Sequence, residues 1–291
     1  LIQSSITQFI RGCFLAGSQE QENHMKEIDA NQKAWALLAR EHYETYSLAL
    51  REGRHHLNSH ILRELGDISG KKVLHLQCNT GADSVALARL GAQVTGVDLV
   101  QENIHYAGKM AAELGVEGIR FIWSDVLKLT DVHDESYDIV FTSEGVLGWL
   151  PELRDWGRVA RRYLNEDGFL YVFDSHPFMM MFDETRLGQE EYLIKYPYFD
   201  HEADLEESIG GYAAKEHKGV EAWFWMHKVS DIVDAVSLNG MHLEYFHEFP
   251  ENFWRSGGDM VYLPEEGLYV YPHNRDKYPM SYSFKATVYR R

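Results

Sequence analysis

At 291 residues the chain could form one large domain or two small ones, and its 45% apolar, 25% charged composition is that of a chain able to build a core. A net charge of −17, from 45 Asp and Glu against 28 Lys and Arg, argues against a large nucleic-acid footprint, because neutralising phosphates needs a basic surface. Two cysteines, Cys13 and Cys78, exclude a disulfide framework and suit a reducing cytosol; no apolar stretch reaches the ~18 residues of a membrane span. A cytoplasmic protein with neither nucleic-acid nor membrane partners is expected.

Residues 1–24 have neither an initiating Met nor a basic leader region, and Met25 opens the stretch that reads as the domain. They are set outside the fold, against the alternative of an N-terminal helix that caps the site. One domain is expected over residues 25–291, with its core at about 66–176 and 228–291. Two helices come first, about Asp29–Leu50 and His55–Leu65. Trp35, Leu38, His42, Tyr46 and Ala49 recur at helical spacing in the first, and Gly66 is placed to end the second. Strand and helix then alternate: strand Val73–Leu76, tight turn Gln77–Gly81, helix Asp83–Leu90, strand Gln93–Val97, strand Gly118–Trp123, strand Tyr137–Phe141, helix Asp155–Leu164 and strand Gly168–Phe173. That alternation predicts a parallel sheet with crossover helices. A helix at Ser230–Leu238, closed by Asn239-Gly240, leads to strand Met241–Phe249, and Tyr282–Tyr289 forms the last strand. The remaining stretches, about 177–227 and 250–281, are insertions rich in aromatics, among them Tyr192, Tyr212, Trp223 and Trp225 in the first and Phe253 and Trp254 in the second. They are expected to form a lid that shapes substrate access. His55, His56 and His60, and His201 with Glu202 and Asp204, lack a second half-site of ligands, so no metal is expected.

The chemistry gathers at the strand ends, where ligands of open α/β sheets bind. Asp98 closes the second strand, and a carboxylate can accept hydrogen bonds from both hydroxyls of a ribose. A dinucleotide loop wants three glycines so that a pyrophosphate can approach bare backbone. Gln77-Cys78-Asn79-Thr80-Gly81-Ala82 offers one. Asn79 tolerates a left-handed backbone, but a Gln side chain at the first glycine position crowds a diphosphate. A ribose-bearing ligand without phosphate fits better.

Leu74-His75-Leu76-Gln77-Cys78-Asn79-Thr80-Gly81 resembles the first signature of the class I S-adenosylmethionine-dependent methyltransferases, and specifically a branch with His-Leu-Gln-Cys-Asn-Thr-Gly in the turn. The likeness extends as an ordered set over roughly residues 30–176, with a weaker echo at 227–249 and 282–290. It implies an α/β, Rossmann-like sheet, mostly parallel with a final antiparallel strand, and S-adenosyl-L-methionine as cofactor. By the same resemblance Gln77, Cys78, Asn79 and Gly81 line the methionyl portion, Asp98 and Leu99 face the ribose, and Asp125 and the Val126 amide meet the adenine. Ser143 and Glu144 then face the transferring methyl, where Glu144 could bind a substrate amine or take a proton. His176, at the end of the fifth strand, is the general-base candidate because imidazole titrates near neutral pH; His227 is a second polar group at the mouth. His75 departs from the family, which places an acid there to hold the methionyl ammonium, and Gln77 and Asn79 replace two glycines. The expected activity is methyl transfer to an oxygen or nitrogen of a small-molecule acceptor. The alternatives are a protein or peptide methyltransferase, a non-catalytic S-adenosylmethionine binder and, more distantly, an NAD-dependent oxidoreductase. Oligomeric state is left open.

Overall fold

The computed structural model describes residues 2–53, 57–183, 186–187, 192–199, 202–210, 213–214, 216–273 and 277–289, with side chains from residue 23 onward. A long helix, α1 (Ile2–Arg51), runs without a break through the expected start at Asp29. The next helix, α2 (Ser59–Leu65), begins later than expected because Asn58 caps it, its side chain accepting from the Ile61 amide at 3.1 Å. Gly66, at φ +63°, ends it. His55 and His56 lie outside the described residues.

The alternating segment follows as β1 (Lys72–Leu76), α3 (Ala82–Arg89), β2 (Gln93–Asp98), α4 (Gln101–Glu113), β3 (Ile119–Trp123), β4 (Tyr137–Ser143), α5 (Leu153–Tyr163) and β5 (Leu164–Ser175). The first insertion contributes α6 (Pro177–Met180) and the antiparallel pair β6 (Ala203–Glu206) and β7 (Ala222–Trp225). Then come α7 (Val229–Ser237), β8 (Met241–Phe249), the second insertion's antiparallel pair β9 (Val261–Leu263) and β10 (Leu268–Val270), and finally β11 (Ser281–Val288). His201 and Tyr212 of the first insertion lie outside the described residues.

Seven strands form the main sheet in the order β3-β2-β1-β4-β5-β11-β8. Strands β1 to β5 pair in parallel, while β11 is antiparallel to both neighbours, as expected of the final strand. Strand order reverses between β1 and β4, so their carboxyl ends splay into a crevice.

Period-two side-chain alternation divides the core into two layers. Leu74, Leu76, Val140 and Val172 face one side, packed on Trp156 of α5 and Val236 of α7. Val73, Ile139, Phe141 and Phe173 face the other, against Leu57 and Ile61. Helices α5 and α7 touch at Gly157, where a Cβ would come within 2.1 Å of the Ala235 carbonyl oxygen. Helix α1 is tied to the first insertion by a two-way bond: the Asn31 amide donates to the Trp223 carbonyl at 2.7 Å and accepts from the Trp223 amide at 2.6 Å.

Candidate active site

The turn after β1 is held in left-handed conformation at three alternate positions, Gln77 (φ +57°), Asn79 (φ +48°) and Gly81 (φ +82°). For a non-glycine residue that conformation costs roughly 1–3 kcal/mol. Local hydrogen bonds offset it. The Asn79 amide donates to Asp98 at 2.8 Å and its side-chain oxygen accepts from the Thr80 amide at 2.7 Å, while Gln77 donates to the Val146 carbonyl at 3.0 Å. Gly81 is not among the residues lining the crevice, although Thr80 and Ala82 on either side of it are. Its role is steric: a Cβ there would meet Ala107 at 2.8 Å and Phe121 at 3.0 Å.

Asp98 lies at the crevice, 8% exposed, and accepts from the Asn79 amide, the Val100 amide at 2.9 Å and the Asn103 side chain at 3.1 Å. Burial raises its pKa, and these three donors pull it back. Cys78 also lines the crevice; burial pushes its thiol well up, so it is no nucleophile. The Leu99 carbonyl accepts from Gln32 of α1 and from the Trp123 indole, both at 2.9 Å. Asp125 and Val126 line the same end, where Asp125 also caps a 3-10 turn by accepting from the Leu127 amide at 2.9 Å. Capping uses one carboxylate oxygen and leaves the residue on the crevice wall.

At the other end His75 lines the wall, its Nδ1 2.8 Å from the Ser84 hydroxyl, and burial lowers its pKa to about 4, so it is neutral at pH 7. The nearby acids are instead Asp83, which accepts from the Ser143 hydroxyl at 2.8 Å, and Glu144, which accepts from the Asn58 amide group at 3.2 Å. Burial, together with Asp83 and Asp174, pushes the Glu144 carboxyl well up. The described residues lining this crevice thus include four carboxylates, Asp83, Asp98, Asp125 and Glu144, and no Lys or Arg. Asp83 was missed by sequence reasoning, although an acid in the first helical turn after the loop was a visible signal. So were Asn31 and Gln32 of α1, which close the crevice from above alongside Trp35.

His42 stands behind this wall, fully buried, edge-on to Trp35 (centroids 5.7 Å apart) and Tyr46 (5.8 Å). Burial lowers its pKa from 6.5 to about 4. The unfolded chain binds this proton near pH 6.5 and the folded chain only near pH 4, so the neutral imidazole's contribution is lost as pH falls through that window, by about 3 kcal/mol. His42→Phe is expected to gain stability relative to the parent between pH 6.5 and 4.5 in urea unfolding. A stability difference independent of pH would show that His42 does not titrate this way.

His176 is set apart from the crevice. It lines neither this crevice nor the cavity beside it. Only 4% exposed, it caps α6 by accepting from the Phe178 amide through Nδ1 at 3.0 Å, and Nε2 lies 2.9 Å from Glu248 of β8. Its Nδ1 is taken up by the cap, so the ring's position follows from a structural bond. His227 does line the neighbouring cavity, with Nε2 2.7 Å from the Leu150 carbonyl oxygen, an arrangement that places the ring proton on Nε2. Asp174, also on that cavity, accepts from the amides of Gly145 (2.7 Å), Val146 (3.2 Å), Leu147 (3.0 Å) and Ser175 (2.7 Å) and so shapes the partition between the two spaces.

A model of the family described as methyltransferase domain matches residues 67–215, which contain the turn, all four crevice carboxylates and Asp174. The chain belongs to the methyltransferase-domain family. This methyltransferase domain is 31% identical over 152 residues to the ubiquinone biosynthesis O-methyltransferase of Shewanella pealeana, covering 51% of this chain and 64% of that protein. The protein of the same name from Actinobacillus pleuropneumoniae is 30% identical over 201 residues, covering 67% of this chain and 78% of its own length. The match spans 60% to 64% of the length of the Shewanella relatives. Among solved structures, the S-adenosylmethionine-dependent methyltransferase of Mesorhizobium loti superposes with a TM-score of 0.55 at 20% identity, over 78% of this chain and 95% of that one. The DhpI–SAH complex superposes with a TM-score of 0.54 at 16% identity, over 91% and 98%. At these identities the likeness is one of fold.

Proposed function

We propose that this methyltransferase domain binds S-adenosylmethionine in the crevice and transfers a methyl group to an oxygen or nitrogen of a small molecule. The observation that carries the reading is the crevice's acidic lining: four acidic side chains, with the Glu144 carboxyl pushed well up by burial, and no Lys or Arg among its described lining residues. Such a site repels a dinucleotide diphosphate and attracts a ligand bearing a sulfonium and an ammonium. Three buried polar atoms on its wall, Thr80 Oγ1, Asn103 Oδ1 and Gln77 Oε1, make no hydrogen bond within the protein, which fits a polar ligand at both ends of the crevice.

Asp98 would hold the ribose hydroxyls, and Asp125 with Val126 would hold the adenine. Asp83 would take the ammonium, with the Glu144 carboxyl beside it as a further hydrogen-bond acceptor, replacing the acid that His75 displaces. When bound, the cofactor supplies an electrophilic methyl on positively charged sulfur. The protein's contribution is to orient the acceptor and exclude water. The acidic chain and the names of its O-methyltransferase relatives favour a small-molecule acceptor in the cytoplasm over a nucleic acid.

Calorimetric titration with S-adenosylmethionine, S-adenosylhomocysteine and NAD tests this. Micromolar or tighter binding of the first, with NAD weaker by roughly 100-fold, is expected. NAD binding as tightly as S-adenosylmethionine, or no binding of either adenosyl ligand, would overturn the reading.

A further inference from the structure

Beside the crevice lies a larger cavity of 620 Å³, sharing Trp35, Gly145 and Trp149 with it as a common wall. That volume falls inside the roughly 300–1,000 Å³ typical of small-molecule sites. Both insertions build it. Trp149 stands edge-on to Trp35, with centroids 5.1 Å apart, and to Phe224, at 5.8 Å. Met179, Met180 and Met226 add soft, polarizable surface. Gly148 lets Phe224 lie against the backbone, since a Cβ there would come within 2.0 Å of its ring.

The charged groups on this wall are committed or peripheral. The Asp174 carboxylate is surrounded by backbone amides, and Glu206 accepts from the Tyr196 hydroxyl at 2.5 Å. Arg255 and His217 are exposed, and no Lys is among the described lining residues. An anionic ligand would leave water here and meet no Lys or Arg in the described interior, and a cationic one would have to compete for carboxylates already engaged by backbone amides and the Tyr196 hydroxyl. An apolar ring system would instead bury its faces against indole, phenyl and thioether surfaces.

We propose that this cavity is the acceptor site and that it takes an uncharged aromatic molecule of about two fused rings, with its acceptor atom toward the wall shared with the crevice. The role as acceptor site rests on the methyltransferase reading; the ligand class rests on the cavity alone. His227, beside the Leu150 carbonyl, supplies a further polar position on a wall made mainly of aromatic, aliphatic and thioether side chains.

The test is titration of the full chain with 2-naphthol, naphthalene-2-carboxylate and 2-naphthylmethylammonium, with and without S-adenosylhomocysteine, read by calorimetry and by the fluorescence of the lining tryptophans. The neutral compound is expected to bind at least roughly tenfold more tightly than either ion. Phe224→Ala should weaken it by roughly fivefold or more while leaving S-adenosylhomocysteine affinity unchanged, which also shows that the variant is folded. Ions binding as tightly as the naphthol, or naphthol binding indifferent to Phe224→Ala, would overturn the proposal. Failure of S-adenosylhomocysteine alone would sink the methyltransferase reading and leave the ligand class standing. S-adenosylhomocysteine binding without any naphthol binding would do the reverse.

Discussion

Asp98→Ala is expected to weaken S-adenosylmethionine binding by roughly 100-fold or more, about 2.7 kcal/mol. Two effects add. The carboxylate organises the site by accepting from the Asn79 amide, the Val100 amide and the Asn103 side chain, and removing it leaves those donors without their acceptor in a buried position. It is also the acceptor assigned to the ribose hydroxyls, a charge-assisted interaction stronger than a neutral one. Asp98→Asn separates the two. It keeps the shape and one oxygen, but sets an NH2 group against at least one backbone donor or against the ribose. Calorimetry beside thermal unfolding reads both. Unchanged affinity in Asp98→Ala would remove the ribose assignment, whatever happens to stability.

Asp174→Ala is expected to destabilise the fold by about 3–5 kcal/mol, because its carboxylate is the common acceptor for four backbone amides in a 4% exposed position. Three of those amides belong to Gly145–Leu147, the segment between crevice and cavity, so ligand binding on both sides should fall with stability. The neighbouring Glu144 sits at φ +63°, a conformation that needs this anchoring. Urea unfolding gives the stability change directly. A loss below about 1 kcal/mol would mean that the segment holds its own shape and that Asp174 is not its anchor.

The parts legible from sequence were those governed by short-range pattern. Short, near-continuous apolar runs located β1, β2, β4 and β5, because both faces of a covered parallel strand must be apolar. Asp98 was legible because the end of a strand is fixed once the strand is. The turn was legible as tight, with Asn79 among the few residues that tolerate left-handed backbone; that Gln77 would adopt the same conformation was not, because its compensating bond runs to Val146, distant in sequence.

His176 shows the limit. Position at a strand end places a residue on the rim but does not aim its side chain, and here the Phe178 amide and Glu248 hold the ring away from the ligand spaces. The insertions carried no periodicity that would reveal how Phe224, Trp149 and Trp35, far apart in the chain, meet around one cavity.

By itself, then, the sequence determined the alternating α/β order, the tight turn and the acid that closes β2, because each follows from contacts within a few residues. Only tertiary structure decided that α1 roofs the crevice, that Asp83 and Glu144 are the acids beside His75, and that the two insertions enclose a second space. Those features depend on which distant segments pack together, and burial of apolar surface sets that packing with little regard to sequence separation.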